Sequence, residues 1–152
     1  MIIFLDFDGV IVTERSNCGL FGLPTNFDPE AIDALNMLIK QTNADIVISS
    51  TWRHLFTFEE LKTMLQDAGV RGKVIGITPK TESPFDYTRG EKISMWLQDN
   101  GNPTDFIIID DFVKDIRELF PDENIIHVKD GWTKGGLKLE HIYPILNRGN
   151  IT

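Results

Sequence analysis

Five short runs of apolar residues recur along the chain, and they constrain its fold more than any other feature. They lie at residues 2–7, Ile46–Ser49, Val74–Ile77, Phe106–Ile109 and Ile125–Val128. Each run is rich in Val and Ile and nearly continuous, rather than alternating with polar residues. Such runs are typical of strands that are buried on both faces, as at the centre of a parallel sheet.

Helix signals occupy the segments between these runs. Capping signals begin three of the predicted helices: Asp28 before Pro29, Thr57 with Glu60, and Thr88 with Glu91. Apolar residues at helical spacing predict two more, over 112–119 and Leu137–Leu146. The alternation predicts an α/β fold, a three-layer α/β/α sandwich around a central parallel sheet of about five strands. With 152 residues, we expect a single domain over 1–152.

Charge and cysteine content narrow the functional classes. The chain carries 23 acidic and 15 basic residues, a formal net charge of −8. A non-specific nucleic-acid binder would need a basic face, so this balance fits a protein that holds a divalent cation better. The single Cys18 excludes an internal disulfide and a cysteine-rich zinc site. No signal peptide or apolar run of about 20 residues is found, so we expect a cytoplasmic protein without membrane association.

Polar pairs follow three of the predicted strands. They are Asp6 with Asp8, Ser49 with Ser50, and Asp110 with Asp111. In an open parallel sheet, ligands bind beyond the carboxyl ends of the strands. We therefore expect these pairs, which are far apart in sequence, to meet at one edge of the sheet.

The motifs resemble those of the haloacid dehalogenase-like (HAD) superfamily, whose members are mostly Mg²⁺-dependent phosphatases. DFDGV after an apolar strand resembles the first motif, and Ser49/Ser50 resembles the second. Arg89 or Lys92 resembles the third, and DDFVKD, with Asp115 at its end, resembles the acidic fourth motif. The resemblance covers essentially the whole chain in the right order. The phrases ISSTWR and RGEKI also resemble small HAD proteins of RNA repair and nucleotide metabolism.

This resemblance implies a phosphatase that works through an aspartyl-phosphate intermediate. Asp6 would attack the phosphorus, and Asp8 would protonate the leaving alcohol and then activate water. Mg²⁺ would be held by a carboxylate oxygen of Asp6, the backbone carbonyl of Asp8 and carboxylates from Asp111 and Asp110. Asp115 would lie behind the metal ligands and help to position them, or it would be a solvent-exposed helix residue.

Phosphate contacts are expected from the second and third motifs. The Ser50 hydroxyl, which we favour over that of Ser49, and a cation at Arg89 or Lys92 would hold the phosphoryl oxygens. Gly9 would let the backbone turn close to the phosphate. Each of these residues also has an ordinary interpretation, since serines cap turns and Lys92 could lie on the surface.

No sizeable cap domain fits into the chain. The segment Thr13–Phe27 is long enough for a β-hairpin flap only, so we expect an open site. Its rim would offer side chains able to stack on a base or a peptide: Trp52, Arg53, His54, Phe85 and Tyr87. An open site favours an extended phosphomonoester, so a nucleotide or a nucleic-acid end is the expected substrate.

Alternative functions remain open at this stage. The same fold could serve a phosphoprotein phosphatase, a phosphotransferase, or a non-catalytic module that binds phosphate or metal. A two-component receiver domain is a remote alternative, which Lys129 after the fifth predicted strand would fit. The sequence leaves the oligomeric state open.

Overall fold

A parallel five-stranded sheet forms the centre of the protein. The computed structural model describes residues 1–17, 27–81, 83 and 86–150. The strands are β1 (Ile2–Leu5), β2 (Asp45–Ile48), β3 (Val74–Ile77), β4 (Phe106–Asp110) and β5 (Ile125–His127). Their spatial order is β3-β2-β1-β4-β5, and every neighbouring pair is parallel. The predicted α/β fold and all five predicted strands are confirmed.

Helices connect the strands and cover both faces of the sheet. They are α1 (Glu14–Asn17), α2 (Pro29–Thr42), α3 (Phe58–Asp67), α4 (Arg89–Asp99), α5 (Lys114–Arg117), α6 (Gly131–Lys134) and α7 (Leu139–Leu146). Short 3₁₀ helices occupy Thr51–His54, Asp122–Asn124 and Asn147–Asn150. The three predicted N-caps are present, including reciprocal capping boxes at α3 and α4. Across the described residues, none of the helices combines the length and the apolar character that a membrane span needs.

Side-chain alternation along β1 divides the interior into two apolar cores. Ile3 and Leu5 face the larger core, which is completed by residues of α2, α3 and α7. Phe4 faces the smaller core, which Ile93 of α4 and Ile116 of α5 complete. Successive strand residues point to opposite faces, so Asp6, the residue after Leu5, faces the side of the sheet that carries α4 and α5.

Several predicted boundaries shift by one or two residues, and local hydrogen bonds explain the shifts at β1 and α5. β1 ends at Leu5 rather than at residue 7, because the carbonyl of Phe7 accepts from the amides of residues 10–12 and closes a tight turn. The helix predicted over 112–119 covers only Lys114–Arg117. The amide of Phe112 donates to Asp110 Oδ1 instead, which holds the chain after β4 in a turn.

Candidate active site

Strand register brings three of the predicted site residues side by side. Leu5 is paired with Ile48 in β2 and with Ile109 in β4. The next residues are Asp6 after β1, Ser49 after β2 and Asp110 at the end of β4. Because β1 lies between β2 and β4, Asp6 is the middle one of the three. The amide of Asp6 donates to the carbonyl of Ile109, which extends the register one residue past the strand. These three side chains therefore share the sheet edge on the side of α4, as the strand-end argument predicted.

A compact acidic cluster forms at this edge. Asp6, Asp110 and Asp111 each offer a carboxylate oxygen, and these oxygens all lie within 4.8 Å of one another. Asp6 and Asp110 are 3% and 0% exposed, so water screens little of their mutual repulsion. Arg89, the first residue of α4, places its Nη1 atom 2.8 Å from Asp110 Oδ2 and 3.2 Å from Asp6 Oδ2. The guanidinium thus bridges two of the three carboxylates.

One cation does not balance this cluster. Burial raises the pKa of Asp6 well above its usual value, the charge of Asp110 raises it further, and Arg89 opposes both effects. Burial and Asp110 likewise raise the pKa of Asp111. Burial disfavours the charge on Arg89, yet the carboxylates of Asp6 and Asp110 outweigh it and raise the pKa of the guanidinium. Three carboxylates thus lie close to one guanidinium, and the raised pKa values of Asp6 and Asp111 reflect burial together with this excess of negative charge.

The donor set of this cluster fits a hard divalent cation. Three carboxylates from one sheet edge provide oxygen atoms, which are the ligands that Mg²⁺ takes in proteins. The carboxylate of Asp8 is not among them, and its predicted contribution is a backbone carbonyl. The uncompensated charge on the buried Asp6 and its neighbours gives an independent electrostatic reason for a cation to bind here.

An open cleft of about 280 Å³ gives access to the cluster. Its lining residues are Asp6, Asp8, Thr51, Arg89, Asp111, Phe112 and Asp115. Asp8 is exposed there, and Asp8 Oδ2 accepts a hydrogen bond of 3.2 Å from Trp52 Nε1. The two predicted catalytic carboxylates therefore reach one cleft in different environments, Asp6 buried beside a cation and Asp8 open to solvent.

Trp52 is fixed in place by other aromatic rings. Its ring packs edge-on against Phe7, with centroids 5.2 Å apart, and stacks on Phe27. Because these contacts hold the indole, its N–H is a positioned donor toward Asp8. Sequence analysis placed Trp52 at the rim and missed this bond, although its position two residues after Ser50 kept it close to the second motif.

Gly9 is required by the backbone and by a close neighbour. Its φ of +80° is a conformation that residues with a side chain rarely adopt. A Cβ atom at this position would also collide with the carboxylate of Asp111. Gly9 thus lets the turn after β1 lie against the acidic cluster, and its contact with phosphate stays a prediction.

The two serines of the second motif have different surroundings. Ser50 Oγ accepts from the amide of Trp52 and caps the 3₁₀ helix Thr51–His54. Ser49 Oγ is buried and has no hydrogen-bond partner among the described residues. Neither serine lines the cleft directly, whereas the neighbouring Thr51 does. The choice between the two serines as a phosphate ligand stays a prediction.

The family of the chain follows from a comparison with known proteins. A family model described as "HAD domain in Swiss Army Knife RNA repair proteins" matches residues 2–142. The chain belongs to this family. No curated protein and no solved structure shows significant similarity to it. The resemblance to the HAD superfamily that the motifs indicated is therefore confirmed, and the match covers nearly the whole chain.

Family membership gives the broad class of the protein. It supports a hydrolase of the HAD type, and HAD domains generally use Mg²⁺. The cluster of Asp6, Asp110 and Asp111 is able to bind such a metal. The roles of individual residues in this HAD domain are predictions that rest on geometry.

The expected aromatic rim is wrong in part. Arg53 is only 2% exposed and donates to the carbonyls of Ser49 and Ser50, so it is an interior residue. Tyr87 is exposed, as a rim residue should be, and so is Phe112, which sequence analysis assigned to a helix. Phe85 and Cys18 lie outside the described residues, as does most of the predicted flap, residues 18–26.

Proposed function

We propose that this HAD domain is a Mg²⁺-dependent phosphomonoester phosphatase that acts on the phosphorylated end of a nucleic acid or on a nucleotide. The observation that carries the proposal is the pairing of Asp6, buried in an acidic cluster beside Arg89, with Asp8, exposed in the same cleft. A module that only binds phosphate or metal has no need of the second carboxylate.

The two carboxylates have separate tasks in this reaction. An oxygen of Asp6 forms a bond to phosphorus while the bond between phosphorus and the leaving oxygen breaks, and Asp8 gives its proton to that oxygen. In the second half-reaction, Asp8 takes a proton from water as the water oxygen attacks phosphorus. The bond to Asp6 then breaks, and inorganic phosphate is released.

Trp52 and Arg89 support these steps without taking part in covalent chemistry. The indole N–H of Trp52 orients the Asp8 carboxylate toward the cleft. Arg89 lies against Asp6 and opposes the rise in its pKa, which favours the ionised form that a nucleophile needs. Its guanidinium, at the wall of the cleft, is also a donor for phosphoryl oxygens.

Asp6, Asp110 and Asp111 are the residues that would hold the metal. A bound Mg²⁺ would offset their charge and that of the phosphoryl group, which otherwise repel each other. Among the described residues, only Arg89 forms ion pairs with this cluster, to Asp6 and Asp110, and for this reason we expect phosphatase activity to disappear in EDTA.

Two features support an extended substrate. The cleft is open, and the exposed ring of Phe112 at its wall is available for stacking on a base. The family to which the chain belongs is named for RNA repair proteins, and processing of RNA ends includes removal of terminal phosphates. We keep the absence of a sizeable cap and the single-domain organisation as predictions.

The test is phosphate release from a matched substrate panel. Purified protein is incubated with Mg²⁺ or EDTA and with p-nitrophenyl phosphate, mononucleotides, short RNAs that carry a 3′- or 5′-phosphate, and phosphopeptides. We expect kcat/KM to be highest for a nucleotide or RNA end, and to vanish in EDTA and in Asp6→Asn. Asp33→Asn, which removes an exposed carboxylate of α2, is the control and should keep full activity.

Two outcomes would contradict the proposal. Full turnover in metal-free buffer, or near wild-type rates in Asp6→Asn, would refute the mechanism. A phosphopeptide or a small sugar phosphate preferred by tenfold or more would refute the substrate class. Aluminium fluoride with Mg²⁺ provides a second measurement, because a phosphoryl analogue that binds only the native state should raise the melting temperature.

A further inference from the structure

A second, smaller cavity adjoins the active-site cleft. It has a volume of about 100 Å³ and is lined by Thr51, Arg53, His54, Tyr87, Arg89 and Lys92. Thr51 and Arg89 also line the cleft, so the two cavities share a wall. We call this cavity the basic pocket. Its lining contains two arginines and a lysine, which makes it positively charged. The cleft, by contrast, borders the acidic cluster.

The cations of the basic pocket are buried rather than solvated. Arg53 and Lys92 are 2% and 4% exposed. Arg53 Nη1 donates to the carbonyls of Ser49 and Ser50, at 3.2 and 2.8 Å, and Nη2 donates to the carbonyl of Pro79. These acceptors are neutral, and Arg53 forms no ion pair with a described residue. Its Nε has no hydrogen-bond partner in the described part of the chain.

These cations also repel one another. Burial and the charge of Arg89 lower the pKa of Arg53 to about 10. Burial lowers the pKa of Lys92, and Arg53 and Arg89 lower it further. The charge of Asp86 opposes this lowering. A buried guanidinium whose described acceptors are all neutral carbonyls, as for Arg53, is costly unless an anion joins it.

His54 adds a further donor site to this pocket. Its Nε2 is buried without a partner among the described residues. Burial and the charges of Arg53 and Lys92 lower the pKa of its imidazole, which favours the neutral form. A neutral imidazole with a proton on Nε2 donates a hydrogen bond to an anion without adding to the repulsion.

We propose that the basic pocket binds a second phosphate of the substrate, next to the phosphate that is removed in the cleft. The proposal rests on the proposed function and specifies its substrate class: a phosphomonoester that carries another phosphate or a phosphodiester about one nucleotide away. A nucleic-acid end always has this second anion at a fixed spacing, whereas a phosphopeptide does not. Tyr87, 46% exposed at the edge of the pocket, is available to the intervening sugar or base.

The test compares substrates that differ only in the second phosphate. kcat/KM is measured for adenosine 3′- and 5′-monophosphate, for adenosine 3′,5′-bisphosphate, and for a diadenylate with a terminal phosphate. We expect the bisphosphate to exceed the better monophosphate by at least tenfold, mainly through KM. The diadenylate then distinguishes the source of the second anion, since it exceeds the bisphosphate only if the pocket is built for a phosphodiester.

Lys92→Met tests the pocket itself, and Lys40→Met is the matched control, because Lys40 is exposed on α2. Lys92→Met should reduce the ratio between bisphosphate and monophosphate to near one, while Lys40→Met should preserve it. An equal loss on both substrates would mean that Lys92 holds the scissile phosphate instead, and would overturn the inference. Circular dichroism and thermal unfolding confirm that the variant is folded.

Binding to the Asp6→Asn variant separates this inference from the proposed function. Calorimetry should give a tighter dissociation constant for the bisphosphate than for either monophosphate, and Lys92→Met should abolish the difference. Equal affinities would refute the basic pocket even if the protein is a phosphatase. If no phosphomonoester is hydrolysed but the bisphosphate still binds more tightly, the proposed function fails and the anion site stands.

Discussion

Replacing Arg89 by methionine would remove the cation that holds the acidic cluster together. The side chain of Arg89 is 24% exposed, and the side chains of its partners Asp6 and Asp110 are 5% and 0% exposed. Methionine has a similar volume and no charge, so the substitution tests charge rather than volume. It would leave three carboxylates close together with no positive charge between them.

The expected loss of stability follows from the burial of these pairs. Breaking a buried ion pair by removing one partner costs about 3–5 kcal/mol. We expect about 3 kcal/mol, the low end, because Asp6 and Asp111 already have raised pKa values and can take up protons when the guanidinium is gone. For a chain of this size, that corresponds to a fall of about 6–12 °C in the melting temperature.

The effect should depend on pH with a definite sign. Arg89 stabilises the folded state only while its partner carboxylates are ionised. Removal of Arg89 raises the folded-state pKa of Asp6 further above its unfolded value, so the penalty is fully present above that raised pKa. As the pH falls through it, the carboxylates become neutral and the difference between variant and wild type shrinks.

Thermal unfolding in EDTA at pH 8 and pH 5 measures this difference. Arg117→Met is the matched control, because Arg117 pairs with Asp122 on the surface, where the two side chains are 49% and 79% exposed. Such exposed pairs contribute about 0–1 kcal/mol. The reasoning would be refuted if Arg89→Met at pH 8 lost no more stability than Arg117→Met, or if its loss grew on acidification.

Three further predictions concern single side chains. Asp6→Asn should abolish phosphate release, yet in EDTA it should melt at or above the wild-type temperature, since it removes a buried like charge. Trp52→Phe keeps the aromatic packing but loses the donor to Asp8, so kcat should fall roughly tenfold, or about 1.4 kcal/mol, in steady-state assays; an unchanged kcat would contradict the role of the indole. Asp28→Ala should cost about 3 kcal/mol in urea unfolding, because Asp28 caps α2 and accepts from Arg15 Nε at 2.7 Å. Burial works against the charge of Asp28, but the bonds from Arg15 lower its pKa, so this contribution is present at neutral pH and is lost on acidification; an equal loss at pH 3 would contradict it.

The fold was predictable because its signals are local and agree with one another. Strands buried on both faces need continuous apolar runs, and the five runs became the five strands of the sheet. Capping boxes at Thr57 and Thr88 depend on residues three positions apart, so the sequence alone contains them. The end of β1 was not predictable in this way, since Phe7 is apolar like a strand residue but belongs to the turn that follows.

The candidate site was predictable at the level of the sheet edge but not at the level of individual contacts. Asp6 and Asp110 meet because Asp6 follows β1, Asp110 ends β4, and the two strands are paired in register. The sequence left Arg89 and Lys92 as alternatives, since three residues along a helix place both on a similar face. The structure separates them, with Arg89 in ion pairs to Asp6 and Asp110 and Lys92 in the basic pocket. That division depends on where the 3₁₀ helix Thr51–His54 lies, which no local pattern specifies.

Arg89 connects the two halves of the site electrostatically. Toward the cleft it stabilises the ionised carboxylates of Asp6 and Asp110, and toward the basic pocket it repels Arg53 and Lys92. A cation bound at the acidic cluster would reduce the excess of negative charge there. An anion bound in the basic pocket would reduce the repulsion among its cations. A protein with a net charge of −8 can thus attract a phosphorylated end through a local arrangement of charges, while the rest of its surface disfavours a long polyanion. Selectivity for an end over a continuous strand would then follow from charge placement alone.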